Sequence, residues 1–317
     1  MPTASAPGKL MLYGDHAVVH GRPCIVTAVD QRIKATVERR PDNLIILSAP
    51  QLNFSYQTNI GQVKGPHPKE ARFALVAISN LFDKVGTKTG LDIKTDSQFS
   101  EKFGFGSSSA SAVAVLQAAA EALNVQLTQQ QLFDLGYKTV IDIQGVGSGF
   151  DIAAAIWGGT IQYTKGKVAE VVKLRTERLP LVVGWTGVKA DTATLVKMVA
   201  ERMKAEPDRI NAIFDAKGKA VMSARRALEN SDWKTAGELM NTCQDMLENL
   251  GVSSNELRAL IGAAKCADAW GAKLSGAGGG DCMIALAPDE RKVAKAIEQA
   301  KGTPIPARVG ADGVRLE

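Results

Sequence analysis

The sequence predicts a mixed fold of strands and helices split between two domains, on three observations. The chain has 317 residues, enough for more than one core. Its first third is a series of short apolar and β-branched runs parted by Gly, Asp, Asn and Pro. Residues 192 to 249 are polar, long and helical in periodicity. The change-over is expected at Lys165 to Val168, giving domains of residues 1–166 and 167–317.

Taken in order, Lys9 to Tyr13 reads as a short strand ended by Gly14-Asp15. Cys24 to Val29 is a second, and Ile33 to Glu38 alternates as a third. Leu44 to Leu47 and Asn53 to Gln57 are short strands between turns. Ala71, Phe73, Leu75, Val76, Ile78 and Leu81 give Lys69 to Phe82 a helical spacing. Leu91 to Thr95 is a strand leading to a Gly/Ser loop, and Ala112 to Leu123 is an apolar helix after it. Thr128 is the N-cap expected for a helix ending near Gln144. Ile152 to Tyr163 crosses Gly158-Gly159 as a turn entering a strand, and Leu181 to Trp185 is β-rich. Pro207-Asp208 breaks the long helical region. A helix over Asn255 to Ala269, a glycine turn and strand over Lys273 to Leu286, an amphipathic helix over Asp289 to Lys301 and a short terminal strand complete the chain.

Composition narrows the function. Apolar residues make up 45% and charged residues 22%, values of a globular protein. No apolar run reaches the roughly 18 residues of a membrane span. Met1 to Gly8 lacks the regions of a secretory signal. The net charge of +5 is dispersed, which suits a small anionic substrate rather than nucleic acid. Cys24, Cys243, Cys266 and Cys282 form no CxxC pair, so reduced thiols and a cytoplasmic location are expected.

The most informative stretch is Phe103-Gly104-Phe105-Gly106-Ser107-Ser108-Ser109 ahead of the Ala112 helix. Glycines let backbone approach a bulky anion, and a helix start offers free N–H groups at the positive end of its dipole. No Lys follows the last Gly, as a Walker loop needs, and the third Gly of a dinucleotide fingerprint is missing. The loop is either a triphosphate cradle or a plain capped turn. Asp151, after Gly147-Ser148-Gly149-Phe150, either faces a cleft or caps Ile152 to Ile156. Lys9 is a cation on an apolar strand, either paired or guarding an edge.

Three glycine-bearing segments stand out together: Ala6 to Gly21, with Pro-Gly-Lys and Gly-Asp-His-Ala-Val-Val-His-Gly; the serine loop; and Lys273 to Cys282. Their order and content resemble the three motifs of the GHMP kinase superfamily, over nearly the whole chain. The first segment is most similar to the mevalonate kinases, as are Val29-Asp30-Gln31-Arg32 and Asp312-Gly313-Val314-Arg315. Gly147 to Asp151 is more similar to one branch of the phosphomevalonate kinases. The resemblance implies an α+β fold, with an N-terminal half like ribosomal protein S5 domain 2 and a ferredoxin-like C-terminal half. It implies ATP-dependent phosphorylation of mevalonate to 5-phosphomevalonate. Phosphomevalonate kinase, another GHMP kinase and a non-catalytic GHMP-fold binding protein stand as alternatives. It implies Asp151 and Lys9 as catalytic residues, and Gly104, Gly106, Ser107, Ser108 and Ser109 around the nucleotide. Ser108 would ligate Mg²⁺. The carboxylate that mevalonate kinases place eleven residues before the catalytic Asp falls here on Val140, so Asp142 is the nearest acid, either a metal ligand or a solvated charge on its helix. Asp15, His16, Gly276, Ala277 and Thr192, with Thr194 and Lys189, fall on the substrate side. A homodimer is common among such proteins.

Overall fold

Strand β1 (Thr3–Tyr13) is buried along almost its whole length and lies between neighbours on both edges. A computed structural model describes residues 1–317, the side chain of Glu101 excepted. β1 pairs antiparallel with β2 (Cys24–Arg40), with register shifts between Pro7 and Lys9 and between Met11 and Tyr13. The two strands expected in this second region are one, because β2 serves two partners. Its start pairs with β6 (Thr160–Thr164) and its end with β5 (Gly90–Ser97). β3 (Leu44–Ala49) runs parallel to β5 and antiparallel to β4 (Phe54–Asn59). The sheet has eight strands: β12 (Arg315–Leu316), β1, β2, β5, β3 and β4 lie in that order, with β6 on β2 and β7 (Glu170–Lys173) on β6. The change-over expected at residues 166/167 therefore lies in the β6–β7 turn, and the first sheet continues to Lys173.

Helices α1 (Lys69–Val85), α2 (Ser107–Ala122), α3 (Gln129–Gln144) and α4 (Phe150–Trp157) complete the first half. α2 is Ala- and Val-rich on nearly every side and is correspondingly buried nearly all round. A capping box of Thr128 and Gln131 starts α3. α4 occupies residues expected to form a turn; its short apolar run carries no period that separates helix from strand.

The second half holds a four-stranded sheet ordered β11-β8-β10-β9, from β8 (Leu181–Trp185), β9 (Gly271–Ser275), β10 (Cys282–Leu286) and β11 (Thr303–Ile305). Around it lie α5 (Thr192–Ala205), α6 (Pro207–Glu229), α7 (Trp233–Asn249), α8 (Asn255–Cys266) and α9 (Glu290–Gln299). Pro207 opens α6 at its first turn, where no N–H is needed. α6 joins two apolar clusters: Ile210 and Phe214 enter the smaller one, Val221 and Leu228 the larger. The tail then returns to the first sheet, where β12 (Arg315–Leu316) pairs with β1. Arg32 fastens it, donating to the carbonyls of Asp312 and Gly313 and to Ser5. No described helix is long and apolar enough to cross a membrane.

Candidate active site

The serine loop ends in Gly106, whose φ of 74° suits glycine and turns the chain into α2. No described side chain caps α2, so its first N–H groups are left for another partner. Ser108 is exposed there, Ser107 partly so, and Ser109 is buried. The cradle that the sequence leaves undecided is therefore an uncapped helix start flanked by hydroxyls.

Lys9 reaches this loop from β1. Its Nζ donates to the Gly104 carbonyl at 2.9 Å and lies 3.2 Å from Asp151 Oδ1. It also stands 5.4 Å from the centre of the Phe150 ring. The backbone N–H of Lys9 donates to the Phe105 carbonyl at 2.9 Å, which fixes loop against strand. A Cβ on Gly106 would come within 3.1 Å of Lys9 Cε and 3.4 Å of Asp151 Oδ1. Asp151 stands in the first turn of α4 after Gly149, whose φ is 88°. Its side chain keeps 32% of its exposure against 9% for Lys9, so the carboxylate is reachable and the ammonium is sheltered.

The first and third glycine segments also converge. Gly14 has a φ of 96°, and a Cβ there would fall 2.6 Å from Cys24 Cα, so only glycine fits. Asp15 is then driven inward, where its Oδ2 meets Lys273 Nζ at 2.8 Å with neither side chain exposed. Its Oδ1 accepts the Gly276 N–H at 2.8 Å. Burial alone would push the Asp15 carboxyl up, but Lys273, Lys217 and the Gly276 N–H hold it below its usual value. His16, at φ 62°, sets its Nε2 2.9 Å from the Ala277 carbonyl. Burial pushes the imidazole below its ordinary pKa, which favours its neutral form. A carbonyl only accepts, so Nε2 carries the proton and Nδ1 the lone pair. Ser275 Oγ accepts the Met11 N–H at 3.0 Å and donates to the Met11 carbonyl at 3.1 Å.

Several expected site residues stand differently. Asp15 is wholly buried and acts as an anchor between segments, not as a group offered to a ligand. Asp142 is committed on the α1 side, accepting from Lys138 Nζ at 2.5 Å and Asn80 Nδ2 at 3.0 Å. It lines a cleft of about 460 Å³ with Val63, His67 and Asn80. Helix geometry explains this: two residues on is roughly 200° round the axis, and Val140 takes the face toward Gly147. Among the described residues no group of three or more His, Cys, Asp or Glu could hold a metal by itself. Thr192 opens α5 and is exposed, while the Thr194 hydroxyl is taken by the Asp191 cap at 2.7 Å.

Two groups, one buried and one half-buried, escape the sequence reading. Lys217 is fully buried on α6, and its Nζ has no hydrogen-bond partner among the described residues. It lies in the stripe Ile210, Phe214, Lys217, Val221, Ala224 and Leu228, so a lysine on an apolar face was the available signal. Asp281, closing the glycine run, lies against the serine loop: a Cβ on Gly104 would meet its Oδ2 at 2.6 Å.

Residues 72–159 match the family described as GHMP kinases N terminal domain, and residues 224–304 that of GHMP kinases C terminal. A mevalonate kinase of Pyrococcus abyssi is 36% identical, over 99% of this chain and 97% of that protein. One of Pyrococcus furiosus is 37% identical over 99% and 98%. The crystal structure of the Methanococcus jannaschii mevalonate kinase superposes with a TM-score of 0.82 at 26% identity, covering 96% of this chain and 97% of that one.

Proposed function

We propose that this chain, which belongs to the GHMP kinase family, transfers the terminal phosphoryl group of ATP to the alcohol of mevalonate, giving 5-phosphomevalonate and ADP. The observation that carries the reading is the Lys9–Asp151 pair, 3.2 Å apart, beside the uncapped start of α2. Phosphoryl transfer to an alcohol needs alignment, neutralisation of charge and a place for the hydroxyl proton. Asp151 takes that proton or orients the hydroxyl. Lys9 favours the developing alkoxide. The N–H groups of Ser107, Ser108 and Ser109 cradle the phosphates.

Mg²⁺ fits the donor set. The exposed Ser108 hydroxyl and the accessible Asp151 carboxylate are hard oxygens, and Mg²⁺ needs only one or two carboxylates when phosphates supply the rest. When bound it would neutralise charge on the phosphates. The homologues act on mevalonate by name, and the full-length match to them supports that acceptor here. An ADP-release assay over mevalonate, phosphomevalonate, homoserine and galactose tests the reading. Turnover is expected with mevalonate. Turnover with phosphomevalonate alone, or with none of the four, overturns it.

A further inference from the structure

The serine loop opens by alternating aromatic residues with glycines, Phe103-Gly104-Phe105-Gly106, and its two rings look to different halves of the chain. Phe105 is buried, its ring centre 5.7 Å from that of Phe99, two residues beyond β5. Phe103 is half-buried at the end of the turn Glu101–Phe103. It meets Trp185 edge to face, with ring centres 5.7 Å apart and planes inclined by 64°. Aromatic pairs favour this geometry. The centres of the two phenylalanine rings are also 5.7 Å apart. A row of four rings, Phe99, Phe105, Phe103 and Trp185, thus runs from the first sheet through the loop to the second sheet.

Trp185 is a firm end for this row. It closes β8, paired with Cys282 of β10 on one side and Thr303 of β11 on the other. Its indole Nε1 is buried without a hydrogen-bond partner among the described residues, so tryptophan serves here through its ring. Between the two phenylalanines, Gly104 has a φ of 70°, and a Cβ on it would meet Asp281 Oδ2 at 2.6 Å. The Gly104 carbonyl accepts from Lys9 Nζ at 2.9 Å, and that Nζ lies 3.2 Å from Asp151 Oδ1. The next carbonyl, of Phe105, accepts the Lys9 backbone N–H at 2.9 Å. Lys9 is therefore gripped at both ends by consecutive carbonyls, and the side chains flanking them are the two rings.

We propose that Phe103 is a positioning residue: seated on Trp185, it fixes the Gly104 carbonyl and through it the place of the Lys9 ammonium beside Asp151. It acts through Gly104 and Lys9, with no polar group of its own. The effect falls on the transfer step more than on binding, because the Lys9–Asp151 pair serves the hydroxyl while the N–H groups at the start of α2 hold the phosphates. The kinetic part of this inference rests on the kinase reading.

The test compares Phe103→Leu, Trp185→Leu and the double variant with the wild-type chain. Three quantities are read: the single-turnover rate of transfer from ATP to mevalonate, KM for mevalonate, and hydrogen exchange at the Lys9 amide. Leucine keeps an apolar side chain at a half-buried position, so Phe103→Leu removes the ring contact and leaves the fold. It is expected to slow transfer about ten- to a hundredfold, as a misplaced catalytic group does, with KM changed by less than about twofold. Exchange at the Lys9 amide should quicken about tenfold, since the Phe105 carbonyl that holds it is loosened. The two rings form one contact, so the double variant should lose no more than the larger single loss. A wild-type transfer rate or unchanged Lys9 exchange in Phe103→Leu, or losses that multiply in the double variant, overturns the proposal. Phe103→Leu alone decides it where Trp185→Leu does not fold. Wild-type protein inactive on mevalonate sinks the kinase reading alone, and exchange at the Lys9 amide still decides whether Phe103 holds Lys9 in place.

Discussion

Asp151 and Lys9 illustrate how much of a site one residue type can announce. A lysine on an apolar strand and an aspartate after a Gly-Ser-Gly turn are each open to a bland reading; the three motifs together make the sharper reading, and the 3.2 Å pair supports it. Replacing Asp151 with Asn should lower kcat by about 10²–10⁴-fold with nucleotide affinity kept, as measured by single-turnover ADP formation and nucleotide titration. Asp15 and Lys273 belong to stability. Lys273→Met leaves a buried carboxylate unpaired and should cost about 3–5 kcal/mol, seen in urea unfolding. Because the folded-state pKa of Asp15 is lowered, its ionised form stabilises the fold above the unfolded value of about 4. That contribution is lost as pH falls through the lowered value. Unfolding curves of wild type and Asp15→Asn between neutral pH and pH 3 check this, since the variant should lack that share of the acid dependence. Sequence spacing alone does not place Asp142, because what decides a ligand is the helix face, and residues 140 and 142 share none. Lys217 and Asp281 were missed because burial and tertiary neighbours, not residue type, make them notable.

Among the elements, the legible ones are those with a strong period or a chemical stop. α1 shows its apolar stripe, α3 its Thr128 cap and α6 its Pro207. β7 is a short edge piece with two half-buried valines, too little pattern to be read. α4 was hidden for the opposite reason: Ile152 to Ile156 is buried throughout, so no face alternates. Thr128→Ala removes one half of a capping box and should cost about 1 kcal/mol. Its thermal midpoint should fall while KM and kcat stay at wild-type values, since the start of α3 is far along the helix from the loop before Asp151. A shifted KM would mean that α3 transmits strain to the site.

At the scale of the whole molecule, the sequence could suggest two domains but not that the chain leaves the first sheet and returns to it. Nothing local in Arg315–Leu316 says that they pair with β1, because the partner is set by tertiary closure. Arg32 is the residue that fastens this closure, with four hydrogen bonds to Ser5, Asp312 and Gly313. Arg32→Ala leaves those acceptors unmet and should lower stability by about 2–4 kcal/mol, read as a drop in urea midpoint with the slope unchanged. A change confined to kcat would instead place Arg32 in the chemistry.

The joints that hold the glycine segments together link residues far apart along the chain: Lys9 to Gly104 spans 95 positions, Asp15 to Gly276 spans 261 and Met11 to Ser275 spans 264. Such long loops must close before their contacts repay the lost entropy, so these joints form late. When denatured protein is diluted into buffer, helix content therefore recovers first and enzymatic competence emerges with the slowest kinetic phase. No excised fragment carrying a single segment can reproduce any part of the chemistry.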